Sequence, residues 1–494
     1  MKLDFLEEPE LEFGGGGTHI DVRFGIMRHG PLDRGTSVAP SQIKVGIVGT
    51  QETIEGIQSW LERARSGIPA KGSRQTNLFP PFPGFSENTC FEASLIFHDR
   101  WAASIHKGEI ENVVTSGDMD HLVYNAVELF LDHASDFTEP GGPMVIICAP
   151  PRELLATLET DVADRPDPID AELDEGAEPE GDRKRQRQPY FHDILKANGM
   201  RLGIPIQMVR PETYGGRRLH KKRKNFQSRM SLQDEATRAW NFHTALYYKA
   251  GGVPWRLIRD PSELSSCFVG ISFFRSLSGD RLLTSVAQVF NERGEGVIVK
   301  GGEAQIDKDD RQPHLSAEDA NALLKKAIQT YRREHKTFPA RVVIHKTSKM
   351  TDGEAEGFRT AAAEERIDTL DLLSMRRSFS RLFRDGTYPP LRGTMLQMDE
   401  RTSLLYLRGS VNFFETYPGL YVPRPLEFLT EEADTTQRKL AEEIFSLSKL
   451  NWNNTQFDGG EPITVRAARR VGDILKCVPE DITTQVQPSF RFFM

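Results

Sequence analysis

The run Pro143-Met144-Val145-Ile146-Ile147-Cys148-Ala149-Pro150-Pro151 constrains the fold of this chain more than any other stretch. It offers water no charged side chain on either face. A strand of that kind belongs in a parallel sheet covered by helices on both sides. Parallel neighbours cannot be joined by a tight turn, so helices must alternate with the strands. The first half of the sequence supplies them. Ile43-Lys44-Val45-Gly46-Ile47-Val48-Gly49 reads as a second buried strand. Thr50 to Ala64 reads as the helix behind it, with Ile54, Ile57 and Leu61 on one face. Ser94 to Phe97 reads as a strand and His121 to Leu131 as a helix. This alternation predicts a doubly wound α/β domain up to about residue 250, with ligands at the carboxyl ends of its strands. The glycines after the first strand lack the G-x-G-x-x-G spacing, and no acidic strand end follows. A dinucleotide-binding dehydrogenase is therefore set aside.

At 494 residues the chain has room for two or three such cores. Its longest apolar runs are too short to span a bilayer. The opening MKLDFLEEPELEF is acidic and unlike a secretory signal. The cysteines Cys90, Cys148, Cys267 and Cys477 are far apart and form no CxxC pair, which argues for a reducing cytoplasm and against a zinc or disulfide framework. A net charge of −8 speaks against nucleic acid until its distribution is considered. Glu159 to Asp182 is strongly acidic and proline-containing, and it reads as a disordered surface loop within about 159–188. Without that segment the remainder is close to neutral. Basic clusters then stand out at Arg183 to Arg187, at Arg217 to Lys224, and at Arg466, Arg469 and Arg470. Such clusters suit a nucleic-acid backbone, and they equally suit a solvated loop or a salt-bridged helix. Spacings of three and four put the last three on one side of a helix.

Candidate chemistry concentrates between Pro189 and Lys249. His192 and Lys196 stand four apart in a short helical segment and share a face. A glycine turn leads to Ile204-Pro205-Ile206-Gln207-Met208-Val209, which reads as a strand carrying Gln207. Lys249 ends a later helix just before Gly251-Gly252. Two lysines supply charge, and a histidine and a glutamine supply directed hydrogen bonds. Together they make a pocket suited to a terminal phosphate.

The second half changes character at Pro254. Ser266 to Phe274, Leu282 to Phe290 and Gly296 to Lys300 read as three meandering strands, with Asn291 to Gly294 as a turn. Ser316 is placed to cap a helix from Ala317 to Arg333, with Leu323, Leu324, Ala327 and Tyr331 facing inward. Arg341 to Lys346 reads as a strand and Asp352 to Glu365 as a helix. Met375 to Leu407 reads as further strands, Thr430 to Ser446 as a helix, and Pro462 to Lys476 as the last helix. Near the start, Gly14 to Gly17, His19-Ile20-Asp21-Val22-Arg23-Phe24-Gly25 and Gly30-Pro31-Leu32 suggest short strand pieces and turns.

The order His192, Lys196, Gln207 and then Lys249 before Gly-Gly resembles the MID domain of Argonaute proteins. The strand–helix order after Pro254 resembles their RNase H-like PIWI domain. Leu450-Asn451-Trp452-Asn453-Asn454, Pro462-Ile463-Thr464 and Arg466 to Arg470 resemble its C-terminal segment, and the glycine-rich opening resembles short prokaryotic Argonautes. The resemblance covers essentially the whole chain. It implies an α/β architecture: a Rossmann-like MID domain with an N-terminal extension at 1–253, then an RNase H-like PIWI domain at 254–494. By the same resemblance, His192, Lys196, Gln207 and Lys249 hold the 5′-phosphate of a guide strand, and Arg466, Arg469 and Arg470 follow its backbone. The carboxylate of Met494 and the Gln207 oxygen would coordinate Mg²⁺ at that phosphate.

A PIWI nuclease needs several carboxylates to hold two metal ions. The positions where the resemblance expects them carry Ser272, Lys346 with Thr347, and the acid-free stretch Thr464 to Ala468. Glu295, Glu303, Asp280 and Asp458 are scattered alternatives. The expectation is therefore no catalytic residue, and a sensor rather than a slicer. A guide RNA, or DNA, would pair with target single-stranded DNA and activate a separate APAZ-domain effector. A sirtuin-like, NAD-depleting effector is favoured over a TIR or nuclease one, in cytoplasmic defence against plasmids or phage. The competing readings are a self-sufficient guided endonuclease with non-standard catalytic residues and an α/β protein that binds no nucleic acid.

Overall fold

In this computed structural model, placement is described for all residues except 116–118, 159–189, 216–231, 259–264, 291–295, 307–311, 420–421, 458 and 479–485. The acidic segment Glu159 to Asp182, the basic runs Arg183 to Arg187 and Arg217 to Lys224, and Glu295 and Asp458 lie outside the described residues.

The run Val145–Ala149 is an interior strand of a four-stranded parallel sheet, ordered Ser94–Ser104, Gln42–Gly49, Val145–Ala149, Ile206–Met208. All five of its residues are buried, as two-sided cover requires. Thr50 caps the helix Gln51–Arg65 by accepting from the Thr53 amide, and Ile54, Ile57, Trp60 and Leu61 go inward. Helix Met119–Ser135 packs beside the same sheet. The strand beginning at Ser94 runs on to Ser104, well past the expected Phe97, across a register shift against Val45 to Ile47. The Gln207 strand is shorter than expected, Ile206–Met208, with Gln207 opposite Ile147.

The second sheet has nine strands, ordered Lys2–Phe5, Thr394–Gln397, Thr402–Leu405, Leu426–Glu432, Thr369–Arg377, Arg341–Lys346, Ser266–Arg275, Leu282–Phe290, Gly296–Glu303. Its last three strands form the expected antiparallel meander. Arg341–Lys346 lies parallel to both of its neighbours. Residues along Ser266–Arg275 alternate between two cores. Cys267, Val269 and Ile271 face Leu324, Ile328 and Phe358, while Phe268 and Phe274 join the core that holds Val465 and Val471. Helices Ala317–His335 and Asp352–Glu364 thus cover one face, and Ile463–Leu475 covers the other.

Two expectations are corrected. Thr430 to Glu432 are not helical: Leu426–Glu432 is a strand with Leu426 and Phe428 alternating inward, and the helix is Gln437–Leu447, capped by Thr436. Between Gly14 and Leu32, only Thr18–His19 is strand. Val22–His29 is a helix because the Asp21 carboxylate accepts from the Arg23 and Phe24 amides.

The N-terminal residues enter both the nine-stranded sheet and a small three-stranded one. Lys2–Phe5 forms an edge of the second sheet, and Leu11–Glu12 pairs with Arg256–Leu257. Glu8 accepts from Arg392 Nε at 3.0 Å and from Lys449 Nζ at 2.9 Å. The Leu450 to Asn454 motif sits at the same seam. The Trp452 ring stacks on Tyr248 at 5.1 Å, and its indole N–H donates to the Trp255 carbonyl at 3.1 Å. Among the described residues no helix is long and apolar enough to cross a membrane.

Candidate nucleic-acid interface

His192 and Lys196 lie on one short helix, Phe191–Gly199, every residue of which is buried. Lys249 closes the helix Glu235–Lys249, whose cap Asp234 accepts from the Thr237 amide. Beyond it, Gly251 takes φ +100°, a conformation that penalises any side chain, so the chain turns sharply after the lysine. Asp33, from the Gly30-Pro31-Leu32 region, holds this turn. Its carboxylate accepts from the Tyr247 hydroxyl at 2.7 Å and from the Val253 amide at 2.9 Å.

The structure brings the four expected residues together through shared partners. Lys249 Nζ donates to Gln207 Oε1, and Lys196 Nζ donates to the Ile206 carbonyl and to a main-chain oxygen of Met494. Phe490, Phe492 and Phe493 are buried beside Met494, so the tail packs into the core and reaches the pocket at once. Among the described residues, no carboxylate side chain pairs with either lysine. Both are almost inaccessible, at 2% and 1%. Burial pushes the Lys249 ammonium down to about 7, and Arg470's charge adds to that. Burial, then the charges of Lys249 and Arg470, hold Lys196 well below the ordinary lysine value.

Arg470 reaches this pocket from the last helix. It donates to His192 Nδ1 at 2.8 Å and to Asp193 Oδ1 at 2.9 Å. A guanidinium only donates, so His192 Nδ1 is an acceptor and the ring proton sits on Nε2. Burial holds the ring's pKa down at about 3, so it is a neutral donor. The expected basic cluster is therefore divided. Arg470 faces His192, whereas Arg466 and Arg469 turn to Glu461. Asp193 and Glu461 are the residues that sequence reading missed. Asp193 acts through a partner 277 positions away, whereas Glu461 joins the nearby Arg466 and Arg469 to the distant Arg377.

The positions where a PIWI nuclease would carry acids are filled and internally bonded. Ser272 is buried opposite Ser285. Lys346 has no exposed side-chain surface. Its ammonium donates to the Lys349 carbonyl at 2.7 Å and forms an ion pair at 2.9 Å with the equally buried Glu354. Glu354 also accepts from the Leu315 amide at 2.7 Å and completes a capping box with Thr351. At the last helix, Thr464 Oγ1 pairs with His345 Nδ1 at 2.8 Å. Asp280 is a turn residue whose carboxylate accepts from the Ser276 hydroxyl at 2.7 Å, and Glu303 is exposed at a strand end. No group of three or more His, Cys, Asp or Glu suited to a metal occurs among the described residues. The pocket's own oxygens, Gln207 Oε1 and the Met494 main-chain oxygen, are hard donors of the kind Mg²⁺ accepts, each now held by a lysine.

No protein-family model and no curated protein matches the sequence. Solved structures do match the fold. Clostridium butyricum Argonaute bound to a guide DNA and a 19-mer target DNA aligns at TM-score 0.61 and 15% identity, over 97% of this chain and 53% of that one. Aa-Ago with externally bound siRNA aligns at TM-score 0.58 and 12% identity, over 100% of this chain and 56% of that one. Drosophila Piwi aligns at TM-score 0.55 and 13% identity, over 99% and 56%. The chain spans just over half the length of the structures it matches. Its fold is Argonaute-like, with an α/β MID–PIWI architecture.

Proposed function

We propose that this Argonaute-like chain is a guide-dependent nucleic-acid sensor that anchors the 5′-phosphate of a small guide RNA in the His192–Lys196–Gln207–Lys249 pocket. One observation carries the reading: two buried lysines share a pocket with Arg470 and, among the described residues, have no carboxylate side chain to neutralise them. Buried charges are ordinarily paired. A dianionic phosphate supplies the missing charge, with the His192 Nε2–H as a directed donor. Its guide pairs with single-stranded target DNA, so base pairing reads sequence while the protein reads backbone shape. Residues 1–253 serve as the anchoring unit and 254–494 as the duplex platform. DNA guides are the alternative chemistry for the same pocket.

Mg²⁺ fits the donor set in kind. Gln207 Oε1 and the Met494 main-chain oxygen would hold it, and it would offset phosphate charge. Chelation is then expected to weaken phosphorylated guides more than hydroxyl-ended ones. Unchanged binding of both would remove the ion from the site.

The platform does not cut in this reading, because Ser272, Lys346 and Thr464 stand where metal-holding acids are needed. Output passes to a partner, an APAZ-domain effector, NAD-depleting and sirtuin-like, acting in the cytoplasm against plasmids or phage. The identity of the protein that copurifies with the chain tests that part. Replacing His192 and Lys196 together with Ala tests the anchor. Affinity should fall about tenfold or more for 5′-phosphorylated guides and far less for 5′-hydroxyl guides. Equal loss for both ends would sink the phosphate pocket. Chelator-sensitive cleavage of a complementary strand in Mn²⁺ would instead favour the endonuclease reading.

A further inference from the structure

Beyond the anchor, the last helix carries a second basic group built around a carboxylate. Glu461 precedes the helix Ile463–Leu475, and its side chain is only 8% exposed. Arg469 Nη1 bonds one of its oxygens, and Arg377 Nε stands 3.5 Å from the same oxygen. Arg466 Nη2 donates to the Glu461 main-chain carbonyl at 3.0 Å. Gly459 makes this possible, since a Cβ there would fall 1.7 Å from the Arg466 guanidinium. Burial alone would raise the Glu461 carboxyl, but the charges of Arg469, Arg377, Arg466 and Arg408 outweigh it and hold it ionised. The geometry is that of a buried anion under partly open cations. The Arg469 and Arg377 side chains remain 40% and 53% exposed. Each guanidinium has five N–H donors, of which Glu461 occupies a minority.

We infer that Glu461 is a positioning residue, whose carboxylate orders Arg377 and Arg469 beside an Arg466 held by its main-chain carbonyl, making a preformed fork for nucleic-acid phosphates. The inference rests on the nucleic-acid reading above and adds Arg377, from the end of strand Thr369–Arg377, to the backbone-contacting set. An arginine held before binding loses less rotamer freedom on contact. This assignment reverses a simple charge argument. Removing a negative charge beside a phosphate path should strengthen binding by Coulomb attraction alone, whereas removing an organiser should weaken it.

The test is Glu461→Gln in the full chain, titrated with a short 5′-phosphorylated single-stranded RNA over a range of salt. Affinity is expected to fall about three- to tenfold. The salt slope is expected to shrink by about 0.7 for each phosphate that is no longer neutralised. Unchanged or tighter binding with an unchanged slope would overturn the assignment. Arg377→Ala in both backgrounds separates positioning from loss of structure: it should cost less in E461Q than in the native chain, and equal costs in the two would count against the idea. Should E461Q fail to fold, Arg377→Lys carries the test, because it keeps charge but loses the fork. Weaker binding supports the assignment and full retention overturns it. A native chain that binds no RNA even at low salt would remove the nucleic-acid reading itself, which is a different result from native binding that E461Q leaves intact.

Discussion

Two groups of buried lysines stand in opposite circumstances. Lys346 lies in the second sheet, fully enclosed, with both Glu354 oxygens and a main-chain carbonyl around its ammonium. Lys196 and Lys249 are equally enclosed, but among the described residues they meet no carboxylate side chain: Lys249 donates to the Gln207 oxygen, and Lys196 to the Ile206 carbonyl and a terminal oxygen of Met494. A buried cation with its own carboxylate is a structural part. Two buried cations with no side-chain carboxylate and one shared terminal oxygen leave a deficit that an anion from outside can fill. The two halves of the molecule differ accordingly. On the proposed reading the first holds the anchor, and the second carries a self-contained ion pair where the resemblance expects a metal-holding acid.

Breaking the paired lysine should have the largest effect. Lys346→Ala leaves Glu354 buried and uncompensated, and unfolding by denaturant should show a loss of about 3–5 kcal/mol. Lys346→Met combined with Glu354→Gln should recover much of that. Lys249→Met should give the contrary pattern. Stability should hold or rise, while affinity for a phosphorylated guide end falls by about 1.5–3 kcal/mol, as expected when a charge-assisted hydrogen bond is removed. If Lys249→Met destabilises as severely as Lys346→Ala, the distinction between the two sites fails.

The pH response sharpens the same contrast. Burial lowers Lys249 from its ordinary 10.5 to about 7. Above pH 7 the free folded chain sheds this proton while the unfolded chain keeps it, so this group makes stability rise with pH up to about 10.5. Phosphate binding must restore the proton. Affinity for a 5′-phosphorylated guide should therefore fall between pH 7 and 9, by at most about tenfold per unit, with little change for a hydroxyl end. A flat profile would show that Lys249 is charged throughout. The smallest effect belongs to Asp33→Ala, which frees Tyr247 and the Val253 amide behind the Lys249 turn. Without those hydrogen bonds anchoring should weaken by about two- to tenfold, read as guide affinity at constant pH.

The sequence disclosed these features unevenly, for physical reasons. Val145–Ala149 and Gln42–Gly49 were legible because a strand covered on both faces must be apolar throughout. The pocket residues were legible as types and spacings along three elements. Arg470's crossing to His192 and Asp193 was not, because nothing local to Arg470 marks a partner in another sheet's helix. Glu461 has partners close by in sequence, but they read only as a basic cluster, and its contact with Arg377 has no local mark. Lys346 could be placed but not interpreted. Its Glu354 partner stands three residues after the Thr351 cap, a helix-start spacing that says nothing of a charge behind it. Thr430 to Glu432 misled because a half-exposed strand and a polar helix start share the same residues there.

The edge strand Lys2–Phe5 has a consequence for how the molecule is made. Its hydrogen-bonding partner, Thr394–Gln397, emerges from the ribosome only after most of the chain has been synthesised. At about 5–20 residues per second that delay is on the order of tens of seconds. Through it, Leu3 and Phe5, which stay exposed even in the finished fold, lie on an unpaired strand. A strand translated long before its partner is thus among the last to find its place, and the interval before Thr394–Gln397 appears is when a nascent chain is most open to pairing with a neighbour.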